Sequence, residues 1–96
     1  ERAAICIQTA VNEANQNGGA ASMDYKQATA ALGGGLDRRQ LLDALERAGS
    51  IVDGDAVRFK KEPRSSNRNS RMVVDLEAGD LPRTVAGREL EVDYRT

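Results

Sequence analysis

Histidine and tryptophan are absent from this chain of 96 residues, and cysteine occurs once, at Cys6. A single cysteine excludes an internal disulfide, and the lack of histidine removes the commonest zinc ligand and the commonest general acid–base. The triple glycine 33–35 has neither a preceding buried strand nor a lysine, so it fits a connector better than a phosphate-binding loop. We therefore expect no enzyme, no metal and no cofactor, with Cys6 as a small buried apolar residue.

Aromatic residues and long apolar runs are also scarce. The aromatics are Tyr25, Phe59 and Tyr94, so the core must be aliphatic and rich in alanine. No run approaches the roughly 20 apolar residues of a membrane-spanning helix, and no signal-peptide pattern opens the chain. These features predict one small domain without membrane contact, in a reducing, cytoplasmic setting. The chain opens within a helical pattern and without an initiator methionine, so it can be a fragment of a longer protein.

Positive charge is concentrated in one short segment, although the formal net charge of the whole chain is −1. Residues 58–71 hold six Lys or Arg against Glu62 alone, whereas 1–57 and 72–96 each carry three more acidic than basic residues. Such segregation bears on the partners of a protein rather than on its fold. It favours contact between the basic segment and a polyanion.

Two predicted helix starts share one design. In each, an apolar residue precedes an Asp, and a Gln follows three residues after that Asp, as in Met23-Asp24 with Gln27 and Leu36-Asp37 with Gln40. This is the spacing of a capping box. With the periodic apolar residues around them, these signals predict a first helix over 2–16, a short second helix ending at 33–35, and a third helix after Asp37.

The third helix is expected to end at Gly49 and to lead into a tight hairpin. Glycine adopts the left-handed conformation after a helix at the lowest free-energy cost. Asp53-Gly54 lies between the apolar stretches 51–52 and 57–59, and Asp-Gly in this setting is a strong signal for a two-residue hairpin turn. Residues 57 and 59 are then expected to face the core.

This order of elements resembles the winged helix-turn-helix family over residues 1–61. The resemblance rests on the pattern and on the stretch LDRRQLLDALERAGSIVDGDAVRF at 36–59. It implies an α+β fold of three helices and a β-hairpin wing, with the third helix in the major groove of DNA and the wing on the backbone or minor groove. The order of two helices, the stretch LDRRQLLDALERAG and a hairpin also looks like the helical insert that precedes the motor region of conjugative relaxase-helicases.

Carried onto this sequence, the resemblance places Arg38, Arg39 and Gln40 at the start of the helix that enters the groove. Arg can pair with guanine edges and Gln with adenine. The same face also fits a solvated surface of mixed charge, and Gln40 can be occupied by its own capping box. The complete set of expected DNA contacts is Arg38, Arg39, Gln40, Arg47, Arg58, Lys60, Lys61, Arg64, Arg68 and Arg71.

The remainder of the chain divides into two expected parts. Residues 62–71, EPRSSNRNSR, are too polar to form a core and are expected to be a flexible basic linker, either bound to phosphates or simply solvated. Residues 72–96 are expected to form a strand pair, from 72–76 and 89–94, or an extended tail. Because a lone hairpin is marginally stable, this pair would pack on the 1–61 unit or on another chain, including a second copy.

Two classes of function fit these patterns. One is a DNA-binding module, for duplex or single-stranded DNA, in a bacterial transcription regulator or a plasmid or phage replication or transfer protein. The alternative is a winged helix that contacts protein, or a non-catalytic module of a larger nucleic-acid-processing enzyme. The acidic turn Asp53-Gly54-Asp55 supports the alternative because carboxylates at a wing tip repel phosphates.

Overall fold

The computed structural model describes residues 2–52, 54–63, 69–79, 81, 84–85 and 88–89. Within them lie three helices and five strands: α1 (Arg2–Gln16), β1 (Ala20–Asp24), α2 (Tyr25–Leu32), α3 (Arg38–Ile51), β2 (Val57–Lys60), β3 (Arg71–Asp75), β4 (Thr84–Val85) and β5 (Arg88–Glu89). The first three strands form an antiparallel sheet in the order β1-β3-β2, and β4 pairs with β5. The chain is therefore a small α+β domain, as expected, and its topology is compatible with that of a winged helix.

The core is aliphatic and rich in alanine because α1 buries a stripe of small side chains. The buried residues of this helix are Ala3, Ala4, Cys6, Ile7, Ala10, Val11 and Ala14. They belong to one cluster with Leu45 of α3 and with Met72 and Val74 of β3. Cys6 is fully buried, and burial raises the pKa of its thiol to about 11. The prediction of Cys6 as an apolar core residue is confirmed.

Both predicted capping boxes are present. At α2, the Asp24 carboxylate accepts the Gln27 N–H at 3.1 Å, and the Gln27 side-chain oxygen accepts the Asp24 N–H at 2.9 Å. At α3, the matching distances between Asp37 and Gln40 are 2.8 and 3.0 Å. Each box satisfies N–H groups at a helix start that have no partner inside the helix, so a motif of four residues sets both starts.

The predicted end of the third helix is wrong. Gly49 lies inside α3, which continues to Ile51 and ends at Val52, whose φ of −104° is extended rather than left-handed. A Cβ at position 49 would lie only 2.6 Å from the backbone nitrogen of Phe59. Gly49 is therefore the place where α3 and β2 approach each other, and the absence of a side chain serves packing rather than helix termination.

The hairpin predicted between 51–52 and 57–59 is also wrong. Ile51 is helical, and β2 pairs with β3 in the register Val57↔Val74 to Lys60↔Arg71. Long-range pairing and the extension of α3 overrode the local Asp-Gly signal. Asp55 precedes β2, whereas Lys61 follows it, so the two lie at opposite ends of this strand.

The predicted strand at 72–76 does not pair as expected. β3 is the central strand of the sheet and pairs with β1 and β2, so the unit formed by the helices extends to Asp75. Met72 and Val74 of this strand are buried and form part of the core, so β3 belongs to the same folded unit as the helices. Of the segment 62–71, predicted as a linker, Arg71 is the first residue of β3, and residues 62–70 fall in sequence between the paired strands β2 and β3. Of the predicted strand 89–94, residues 90–94 lie outside the described part of the chain.

Over the described residues, none of the helices combines the length and the apolar character required to cross a membrane.

Candidate nucleic-acid interface

The exposed side of α3 is a ridge between two grooves. One groove, called here the β2-side groove, is lined by Arg38, Arg39, Leu42, Asp43, Glu46, Phe59, Lys61 and Ser70. The other, called the α1-side groove, is lined by Arg2, Ala3, Gln40, Asp43, Ala44 and Arg47. Asp43 lines both grooves, so it lies at the crest of the ridge. The periodicity of the helix separates the two sets, since residues three and four apart share one flank.

The β2-side groove has a volume of about 430 Å³ and an apolar floor. Leu42 and Phe59 are half-buried there, and Phe59 packs against the core cluster. Three of the predicted contacts, Arg38, Arg39 and Lys61, are exposed and lie along its rim. The structure therefore brings together cations from α3 and from the end of β2 that are more than twenty positions apart in sequence.

The α1-side groove has a volume of about 480 Å³ and is more polar than the β2-side groove. Its two cations, Arg2 and Arg47, are exposed on α1 and α3. Gln40 also lines this groove, and its side-chain oxygen accepts the Asp37 N–H at 3.0 Å. Ala3 and Ala44 leave the groove open because both side chains are small. Gln40 and Arg47 were predicted contacts, whereas Arg2 was not.

Arg38 is held by an aromatic contact. Its guanidinium carbon lies 4.6 Å from the centroid of the Tyr25 ring. A cation–π contact at an exposed site is worth about 0.5–1 kcal/mol. It joins the first turn of α3 to the first residue of α2, and it restricts the directions in which Arg38 can reach a ligand.

The base of the ten-residue β2–β3 connection, residues 61–70, is fixed by an ion pair. Arg71 Nη1 lies 3.2 Å from Glu62 Oε1, and the two side chains are only 15 and 11% exposed. Lys60 Nζ lies 3.9 Å from the same oxygen but is 58% exposed, so it adds little. The Glu62 N–H also donates to Ser70 Oγ at 2.8 Å. Arg71 therefore closes the base of this connection through Glu62, and its contact with DNA stays a prediction.

A second tie runs from this connection to the start of α2. Asn69 Nδ2 donates to Asp24 Oδ2 at 3.2 Å. Burial of the Asp24 carboxyl raises its pKa, but hydrogen bonds from Gln27, Asn69 and Lys26 and the charge of Lys26 outweigh this, so that the pKa lies below its usual value. The capping residue of α2 thus also holds the β2–β3 connection.

Arg58 and Lys60 lie on the face of the sheet opposite α3. Strand residues alternate between the two faces, and the buried Val57 and half-buried Phe59 face the core. The structure therefore separates Arg58 and Lys60 from Arg38, Arg39 and Lys61. Arg64 and Arg68 lie outside the described residues.

Sequence reasoning missed Arg2 and the apolar floor formed by Leu42 and Phe59. Strand alternation was a usable signal for separating Arg58 from the groove, because Val57 and Phe59 were already assigned to the opposite face. No sequence signal identified Arg2, since its place in the same groove as Arg47 depends on how α1 packs against α3.

In the part of the chain that the structure describes, no three His, Cys, Asp or Glu side chains are grouped so as to hold a metal ion. No family model matches the sequence, and neither a curated protein nor a solved structure matches it.

Proposed function

We propose that this domain is a winged helix that binds duplex DNA through α3 and the β2–β3 connection. The observation that carries the proposal is the β2-side groove, where Arg39 of α3 and Lys61 of the connection line one surface. The strand order β1-β3-β2, with α3 leading into β2, supports the same assignment. In such a fold the third helix enters the major groove and the connection acts as the wing.

The charge of the β2–β3 connection supports this role. Residues 61–70 include Lys61, Arg64 and Arg68 against Glu62, and the Glu62 carboxylate is engaged by Arg71. The acidic residues near Gly54 do not weigh against the proposal, because they precede β2 and the connection follows it. Lysine and arginine at this position suit the phosphate backbone, which dominates the affinity of most DNA-binding proteins.

The carboxylates on α3 limit how the helix reads bases. Asp43 and Glu46 lie one and two turns after Arg39 on the exposed side. Like charge repels phosphates, so the first turn of α3 supplies the favourable contacts. Arg39 is the best candidate for pairing with a guanine edge, since Arg38 is stacked on Tyr25 and the Gln40 oxygen is occupied.

The test is fluorescence anisotropy with a labelled random duplex over several salt concentrations. Each phosphate contact contributes about −0.9 to the slope of log affinity against log salt. We expect a steep slope for the wild type. The double variant Arg39→Gln with Lys61→Gln should bind more weakly, and its slope should be shallower by about 0.9 because the phosphate contact of Lys61 is lost.

The matched control is Arg58→Gln with Lys60→Gln, which removes the same charge from the opposite face of the sheet. Its slope should stay near that of the wild type. Equal losses in both double variants would show binding through net charge rather than through the β2-side groove. No binding by the wild type at low salt would overturn the proposed function.

A protein partner is the second candidate because the floor of the β2-side groove is apolar. Leu42 and Phe59 suit an apolar side chain flanked by carboxylates, which the cationic rim would attract. In that case Leu42→Ser would abolish capture of the partner, and Arg39→Gln would weaken it with a shallow salt dependence. If the wild type does not bind DNA but captures a protein, and Leu42→Ser abolishes that capture, the second candidate is favoured.

A further inference from the structure

We infer that the α1-side groove binds the phosphate backbone of the second DNA strand, with Arg2 and Arg47 as its anion contacts. The inference rests on the proposed function, because it concerns the strand that lies on the far flank of α3. It adds Arg2 and one side of α3 to the interface, neither of which is needed for binding at the wing.

The dimensions of a helix in the major groove place a phosphate backbone on both of its flanks. An α-helix with its side chains is about 10–12 Å across, and the major groove is about 12 Å wide. A helix inserted in that groove therefore has one phosphate backbone on each side. Cations on one flank can contact one strand, whereas cations on both flanks can contact both strands and release counterions from each.

The cations of this domain lie on both flanks of α3. Arg39 and Lys61 line the β2-side groove, and Arg2 and Arg47 line the α1-side groove. Asp43 is shared by both linings and marks the crest between them. The ridge, with one open groove on each side, has the arrangement that two backbones flanking a helix require.

The chemistry of the α1-side groove suits a phosphate. Arg2 and Arg47 are exposed, and a guanidinium offers paired N–H donors that match phosphate oxygens. The Gln40 side-chain oxygen accepts the Asp37 N–H, and its NH₂ group supplies two hydrogen-bond donors that suit phosphate oxygens. Ala3 and Ala44 keep the groove open enough for a backbone to approach.

The apolar content separates the two grooves. The β2-side groove contains Leu42 and Phe59, whereas the α1-side groove contains only alanine as an apolar residue. A protein side chain would therefore find less apolar surface and more polar surface in the α1-side groove than in the β2-side groove. An anion is therefore the better occupant of the α1-side groove.

The experiment compares the full chain with the double variant Arg2→Gln and Arg47→Gln. Binding is measured by anisotropy over a salt series, with a labelled random duplex and with a labelled single strand of the same length. Both side chains are exposed, and circular dichroism and the thermal midpoint check that the variant is folded. The charge-matched control is Arg58→Gln with Lys60→Gln.

For duplex, we expect the double variant to lose about 1.8 from the steepness of the salt slope, corresponding to two phosphate contacts. For the single strand, which has one backbone, we expect the slope to change by less than half of that. The control should retain the wild-type slope on both probes.

Three outcomes would overturn the inference. An unchanged duplex slope in Arg2→Gln with Arg47→Gln would show that the α1-side groove takes no phosphate, while duplex binding by the wild type would leave the proposed function standing. If the salt slope decreases equally for the duplex and for the single strand, the assignment of the α1-side groove to the second strand is wrong. A wild type that binds neither probe would overturn the proposed function and this inference together.

Discussion

α2 and α3 begin alike and end differently. Both start with a capping box, at Asp24 and at Asp37, with nearly the same hydrogen-bond lengths. α2 ends at Gly33, which has a left-handed φ of 83° and donates its N–H to Thr29 O. α3 instead runs through Gly49 and ends at Val52.

The difference shows that one residue type has two structural roles. A Cβ at Gly33 would meet nothing within 4 Å, so this glycine is required by its backbone conformation. At Gly49 the conformation is helical, and the nearest atoms belong to Phe59 on β2. Backbone conformation is a local property of the chain, whereas the approach of β2 is not.

The two N-caps, Asp24 and Asp37, also differ in whether they make a contact with a distant part of the chain. Asp24 accepts a third group, the side chain of Asn69, which tethers the β2–β3 connection to α2. Asp37 forms its box at the start of the ridge that we propose as the DNA-reading element. The shared motif therefore sets two helix starts, and one of them also positions the proposed wing.

The largest effect is expected for Gly49→Ala. The new methyl group would lie 2.6 Å from Phe59 N and 2.8 Å from Phe59 Cβ, so α3 and β2 must separate. We expect a loss of about 3 kcal/mol in the free energy of unfolding, against a helix-propensity gain of about 1 kcal/mol or less. Urea denaturation measures it, with the exposed neighbour Ser50→Ala as control. A stabilised Gly49→Ala variant would show that Gly49 does not mark a close approach.

Gly33→Ala should have the next largest effect, with a different cause. Alanine in a left-handed conformation costs about 1–2 kcal/mol, and no steric contact adds to it. Gly33→Asn should lose less, since asparagine tolerates this conformation better. Equal losses for alanine and asparagine would contradict a purely conformational origin. Urea denaturation of both variants provides the measurement.

Removing each cap should reveal the additional role of Asp24. Asp37→Ala should lower the free energy of unfolding by about 1 kcal/mol, the usual effect of losing an N-cap. Asp24→Ala should lower it further, because the Asn69 hydrogen bond is lost as well. A double-mutant cycle with Asn69→Ala should show coupling to Asp24→Ala and none to Asp37→Ala. Coupling of equal size at both caps would remove the distinction between them.

The smallest expected effect is the dependence of the thermal midpoint on pH. The pKa of Asp24 is lowered in the folded protein, so its ionised form stabilises the fold above the unfolded pKa of about 3.9, and this stabilisation is lost as pH falls through the folded pKa. Asp24→Asn keeps a capping oxygen but has no such titration. The difference in thermal midpoint between wild type and Asp24→Asn should therefore grow from pH 2 to about pH 5 and then level off. A constant difference would contradict this linkage.

Local signals predicted the helix starts and the buried stripe of α1. The capping boxes at Asp24 and Asp37 and the apolar spacing of Ala3, Ile7 and Val11 act within one or two turns, so the sequence alone contains them. The same local reasoning failed at Gly49 and Asp53-Gly54. Gly49 is a strong signal for a helix end, but α3 continues to Ile51. Asp-Gly is a strong signal for a hairpin turn, but β2 pairs with β3 and not with the residues before the turn.

The candidate interface was predicted in part. Arg38, Arg39 and Lys61 were expected and share the β2-side groove, whereas Arg71 closes an ion pair with Glu62. The role of Arg71 depends on the register that pairs it with Lys60, and register is set by which strand faces are buried.

The sequence by itself determined the elements whose causes lie within a few residues: three helices, two capped starts, an aliphatic core face and a segment of concentrated positive charge. The tertiary structure decided which strands pair, why Gly49 lacks a side chain, and which cations share a groove. Strand pairing and groove formation join residues far apart in the chain, so their free energies depend on contacts that no local pattern contains.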